Sequence, residues 1–100
     1  MNNIKINFDV LDKGKAIRFK TDGTVEYLSP AVSKLFRLNE LQDAVGGYVE
    51  TCPQSLFSDA FLFVDEDGLL KNREYNKLCS EIFGIYIVGD ALLVSKTMVY

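Results

Sequence analysis

One hundred residues with a net charge of −3, 48% hydrophobic side chains and twelve aromatics suffice for one domain around one core. The composition excludes a disordered chain, and the lack of any histidine removes the usual general base and the commonest metal ligand. No apolar run is long enough to span a bilayer and Met1-Asn2-Asn3-Ile4-Lys5 lacks the core of a signal peptide, so a cytoplasmic protein with no membrane partner is expected.

The charge is unevenly spread. Residues 1–37 carry seven Lys or Arg against four Asp or Glu, and residues 38–100 carry four against ten. This asymmetry is too mild for a generic nucleic-acid binder and too mild for an acidic mimic of DNA. Cys52 and Cys79 lack metal-type spacing and read as two reduced, partly buried thiols.

In chain order, Ile4, Ile6 and Phe8 alternate with Lys5 and Asn7, which predicts a strand with one buried face, broken at Asp12-Lys13-Gly14. Ala16 to Lys20 predicts a second strand with Ile17 and Phe19 on one side, Thr21-Asp22-Gly23-Thr24 a turn, and Val25 to Leu28 the return. The result is a basic hairpin. Lys13, Lys15, Arg18 and Lys20 would form either a phosphate-contacting patch or a solvated face that discourages edge pairing. Ser29-Pro30 has the form of a helix start, and Ala31, Val32, Leu35, Phe36, Leu38, Leu41 and Val45 keep near-helical spacing to Gly46. Asn39 and Gln42 have capping-box spacing, so the expected helix is interrupted near Asn39.

Gly46-Gly47 stops that helix, and from Tyr48 the period becomes two, with Tyr48, Glu50 and Cys52 on one side of a strand. Pro53-Gln54-Ser55 opens a loop to Asp59. Ala60-Phe61-Leu62-Phe63-Val64 is apolar throughout and predicts an interior strand covered on both faces. After the turn Asp65-Glu66-Asp67-Gly68, Asn72 can cap a helix from Arg73 to Phe83, with Tyr75, Leu78, Cys79 and Ile82 as its apolar stripe and Gly84 as its end. Ile85 to Val88 then predicts a short strand and Ala91 to Val99 a final one, long enough to form a sheet edge or to pair with a second copy. The expected fold is α+β: a mainly antiparallel sheet of five or six strands with two helices packed on it, in a single domain over residues 1–100.

Several of these residues also form a pattern: Leu41-Gln42, Val45-Gly46-Gly47-Tyr48-Val49-Glu50, Asp65-Glu66-Asp67-Gly68, Asn72-Arg73 and Ile87-Val88-Gly89-Asp90. From Leu38 to Val94 the chain resembles domain-of-unknown-function family 3846, short proteins of bacteriophages, plasmids and gut bacteria. The family usually has asparagine where this chain has Asp65, and the basic N-terminal region, residues 1–28, does not align by these motifs. The resemblance implies a small domain carried by mobile elements and brings no activity with it.

Chemistry is thinly supplied. Neither cysteine has a histidine to activate it. An EF-hand register would place Asp65, Asp67, Gly68 and Glu74 at the third, fifth, sixth and twelfth positions but puts Phe63 first, which favours a plain turn. Pairing of the Tyr48 and Ala60 strands would instead gather Gln42, Tyr48, Glu50, Asn72 and Arg73 at one end of the sheet. They would bind a small polar ligand or a partner's loop, or else only satisfy element ends and a neighbouring carboxylate. The expectation is a non-enzymatic protein without cofactor or metal that binds a host or phage protein, a defence protein for example. The alternative is a protein that sequesters a nucleotide-type signal through the basic hairpin with Tyr27 or Tyr48. Homodimerisation through the final strand or an exposed aromatic face is a further form of partnership.

Overall fold

The computed structural model describes residues 5–52 and 59–100. Ala91-Leu92-Leu93-Val94 is a run of four apolar side chains, and a strand of that kind is stable only with both faces covered. It is the centre of the sheet. The strands are β1 (Ala16–Phe19), β2 (Val25–Leu28), β3 (Val49–Thr51), β4 (Ala60–Asp65) and β5 (Ala91–Ser95), in the order β2-β1-β5-β4-β3 with every neighbour antiparallel. Two hairpin-like pairs, β1–β2 and β3–β4, are thus joined by the last strand.

Alternation along these strands divides the core into two layers. Ile17, Phe19, Leu62, Ala91 and Leu93 face one side, where helix α2 (Lys77–Phe83) packs with Cys79 and Phe83. Ile6, Phe8, Val10 and Leu11 from the N-terminal segment complete that cover. Ala16, Phe63, Leu92 and Val94 face the opposite side, where helix α1 (Leu38–Val45) lays down Leu41, Ala44 and Val45 beside Phe36. The α+β class, the five strands and the two helices agree with the sequence. So do the helix stops, since Gly46 closes α1 in the left-handed region at φ +81° and Gly84 closes α2.

One buried polar side chain joins three parts of the fold. Asn76 is fully buried; its Nδ2 donates to the carbonyls of Phe19 and Gly89, both at 2.9 Å, and its Oδ1 accepts from the Cys79 N–H at 3.1 Å. It is the N-cap of α2 and, in the same place, the link from α2 to β1.

Five local expectations are corrected. The strand expected over Ile4 to Phe8 is replaced by a 3-10 turn, Phe8–Lys13, because the Asn7 side chain accepts from the Asp9 N–H at 3.1 Å and folds the apolar residues under the sheet; Ile4 lies outside the described residues. The helix expected from Ser29-Pro30 starts only at Leu38. Ala31–Ser33 are exposed and Glu40 reaches back to the N–H groups of Ala31 (2.9 Å) and Arg37 (3.2 Å), which ties down the entry to α1 from its own first turn. Asn72 does not cap α2: it takes a left-handed backbone, φ +53°, inside the turn, and the cap is Asn76. Ile85 to Val88 forms no strand, only the single bridge from Val88 to Tyr75. The last strand ends at Ser95 in a 3-10 turn, Lys96–Met98, and both its edges are occupied by β1 and β4, so it offers no edge to a second copy. The loop expected from Pro53 lies outside the described residues up to position 58.

Candidate functional site

The apolar face of α1 points its C-terminal end at the turn that follows β4. At Gly46 the chain reverses, and the Tyr48 carbonyl accepts from the Glu66 N–H at 2.8 Å, which starts the β3–β4 ladder from Val49↔Asp65 onward. This register buries Asp65 at the end of β4 with no side-chain exposure.

A buried carboxylate must be partnered, and Asp65 has three donors. Its Oδ1 accepts from the Asp67 N–H at 2.9 Å, its Oδ2 accepts from Lys71 Nζ at 3.0 Å, and Arg73 Nε stands 3.4 Å away. Burial pushes the carboxyl pKa up, but the Asp67 N–H, Lys71 and Arg73 outweigh it and hold the group below its ordinary value of 3.8. Arg73 also donates from Nη2 to the Gly46 carbonyl at 2.8 Å, placing a cation on the electronegative end of α1. Two cations already held by the carboxylate are the wrong company for a calcium ligand. The turn is therefore organised inward by Asp65, which is the carboxylate beside Arg73, where the sequence favoured a plain turn.

The two glycines of the helix stop have separate reasons. Gly46 supplies the left-handed turn, whereas a Cβ on Gly47 would stand 2.7 Å from both Asp65 Oδ2 and Lys71 Nζ. Gly89 lies against the stem of Arg73, with its ideal Cβ 3.4 Å from the Arg73 Cβ. Gly46-Gly47, Asp65, Arg73 and Gly89, all quoted above as pieces of one pattern, are thus brought together around a single ion cluster.

A family model described as a domain of unknown function (DUF3846) matches residues 12–98. The chain belongs to that family. The match takes in the basic hairpin, which the short motifs alone could not place. No curated protein and no solved structure matches the chain.

Two hollows flank the ion cluster of this DUF3846 domain. One, of about 360 Å³, is lined by Asn72 and Arg73 together with Thr21, Asp43, Glu74 and Asp90, among others. The other, of about 530 Å³, is lined by Gln42 and Tyr48 with Asp67, and the two share Asp43, Gly46 and Lys71. Four of the five sequence-marked residues are therefore neighbours, divided between adjoining hollows. Glu50 lines neither; it lies on β3, paired with Val64 of β4, and is exposed.

Sequence reading left Asp43, Thr21 and Lys71 out of the site, and met Glu74 only in the EF-hand register and Asp90 only in the family pattern. Lys71, next to the marked Asn72-Arg73, could have been found as a second cation beside the acidic turn. Thr21 arrives only through the sheet, its N–H donating to Asp90 Oδ1 at 2.9 Å across 69 positions of sequence.

The four basic residues of the hairpin do not converge. Lys15 precedes β1 and Lys20 follows it, which at about 3.3 Å per residue separates them by roughly 16 Å. Arg18 between them donates to Glu26 Oε1 at 2.7 Å in an ion pair across the hairpin, and Lys13 ends the first 3-10 turn. Tyr27 accepts from the Asn7 N–H through its hydroxyl at 3.0 Å. Of the thiols, Cys79 is fully buried with its pKa pushed up to about 12, mainly by burial and further by Cys52, and burial raises Cys52 as well. Both are held as thiols at neutral pH. Among the described residues, no group of three or more Asp, Glu or Cys side chains is placed to hold a metal ion, and no helix is long and apolar enough to cross a membrane.

Proposed function

We propose that this domain is a non-enzymatic interaction module of a mobile genetic element, acting by binding a host or phage-encoded protein such as a defence protein. The observation that carries this reading is the turn after β4. Glu66–Asn72 is pinned beside Tyr48 and internally tied by Asp65, yet it exposes Leu69 at 70% and Leu70 at 84%, with Tyr48 at 65%. Exposed leucine and tyrosine side chains on a firmly held turn are what a protein contact needs, since they bury apolar area with little ordering cost. Of the polar side chains nearby, Asp65, Lys71 and Arg73 are engaged with one another. The family origin implied by the motifs is in keeping with a small binding protein.

The test uses the full chain as affinity bait in bacterial lysate with and without phage infection, beside a Leu69→Asp/Leu70→Asp variant of unchanged melting temperature. The expected result is a partner retained by the native bait and lost by the variant. Identical recoveries from both baits, together with turnover of a substrate by the native chain, reject the reading.

A small-ligand binder is the second reading, favoured by the hollow beside Arg73. Thermal-shift screening against nucleotides tests it, and a flat response across the panel ends it. The three carboxylates of that hollow already oppose a phosphate ligand.

A further inference from the structure

The α1 side of the sheet is only partly covered. Helix α1 packs on β3, β4 and β5, while the hairpin β1–β2 presents Leu28, Arg18 and Glu26 on that same side without a helix above them. Between α1 and the hairpin lies a hollow of about 340 Å³ backed by Leu28, Phe36, Ala44 and Leu92. It shares Asp43 and Ala44 with the hollow beside Arg73, so the two adjoin along α1 as a trough in two parts, one lined by Ser29 and the other by Asp90.

The charges of this trough do not balance. Arg18 is bonded to Glu26, while Lys71 and Arg73 share the one carboxylate of Asp65, so three cations stand against two paired carboxylates. Glu40, Asp43, Glu74 and Asp90 also line it, and among the described residues neither Asp43 nor Glu74 is in an ion pair. Asp43 is also misplaced for helix stability. It stands in the last turn of α1, which holds no basic residue, at the end where backbone carbonyls already concentrate negative potential. Arg73 on the Gly46 carbonyl offsets the potential of the helix end, but Asp43 itself, exposed and in no ion pair among the described residues, keeps its charge turned to the trough.

We propose that this trough is the seat of a basic, partly apolar segment of a protein partner, its lysines or arginines meeting Asp43, Glu74 and Asp90 and its apolar side chains resting on the half-buried Leu28. The inference rests on the protein-binding reading above and names the chemistry of that partner. Nucleic acid is excluded as occupant by the sign of the trough.

The probe is a short peptide of alternating lysine and leucine, titrated into the isotope-labelled full chain and followed by amide NMR. A peptide of alternating glutamate and leucine serves as control. The lysine peptide is expected to move the amides of Thr21, Asp43, Ala44, Glu74 and Asp90, to weaken with added salt, and to lose about tenfold in affinity with Asp43→Lys, because a charge pair becomes a like-charge contact. Lysine suits a helix C-terminus, so this variant folds. Absence of shifts at millimolar peptide, equal shifts from the glutamate peptide, or unchanged affinity in Asp43→Lys overturns the proposal. In the bait experiment, a partner lost by the Leu69/Leu70 variant but kept by Asp43→Lys sinks the trough and leaves the binding reading intact, whereas recovery of no partner sinks the reading itself.

Discussion

Asn76 and Asp65 are both buried polar side chains, each holding three groups together, and they solve that task differently. Asn76 is neutral, lies in the dry layer between α2 and the sheet, and satisfies backbone groups alone. Asp65 is charged, lies at the sheet's end, and is satisfied by one N–H and two cations whose side chains are about 40% exposed. A dry interior accepts an amide, which needs no counter-charge. A carboxylate is tolerated where its partners keep one side in water. The neutral knot therefore fixes the architecture, and the ionic one shapes a surface.

The largest expected effect separates the two at once. Asn76→Ala leaves two carbonyls and one N–H without partners in the core and should cost about 3–5 kcal/mol by guanidinium unfolding, with a compact but poorly packed state as the visible outcome. Asp65→Asn should cost about 2 kcal/mol near neutral pH, since it weakens hydrogen bonds to a charged group while keeping the shape. Its pH dependence is the sharper test. Because the folded carboxyl lies below its ordinary value, its contribution is complete above pH 3.8 and is lost as pH falls through the lower folded value. The stability gap between native and variant chains should therefore close on acidification below 3.8, and a gap constant with pH would show that Asp65 acts by shape alone. For Asn76 no such closing is expected.

Gly47→Ala comes next, at about 1–2 kcal/mol, since its Cβ would press on both Asp65 and the flexible end of Lys71; thermal melting in the Asp65→Asn background would show the two losses to be non-additive. The smallest effect belongs to the hairpin. Arg18→Ala removes an ion pair of which Glu26 is 41% exposed and should cost less than about 1 kcal/mol, a difference that shrinks in high salt.

What could be read from the sequence follows the range of each signal. Gly46 and Gly84 announced the ends of both helices because a left-handed residue is a local requirement. Residues 60–64 announced a covered strand, observed as Ala60–Asp65, because an unbroken apolar run has no alternative use. The starts were not legible. Ser29-Pro30 carries a local helix signal, yet Val32 is 72% exposed and Glu40 fixes the entry to α1 nine residues later. Asn72 and Asn76 are both plausible caps four residues apart, and only the carbonyls of Phe19 in β1 and of Gly89 in the segment before β5 decide for Asn76. In the site, the motif residues were visible as a set, while the trough was not, because Thr21 and Asp43 meet Glu74 and Asp90 only after the sheet closes.

The central place of Ala91–Ser95 governs how the molecule is assembled during synthesis. β1 with β2 and β3 with β4 can each pair locally as soon as both strands leave the ribosome, but the two pairs stay separate plates with bare inner rims until β5 emerges and slides between them. Closure is a long-range event that joins positions such as Ile17 and Leu93, so the slow step of folding waits for β5, and a nascent chain that stops short of it exposes two sticky edges to whatever chaperones stand nearby.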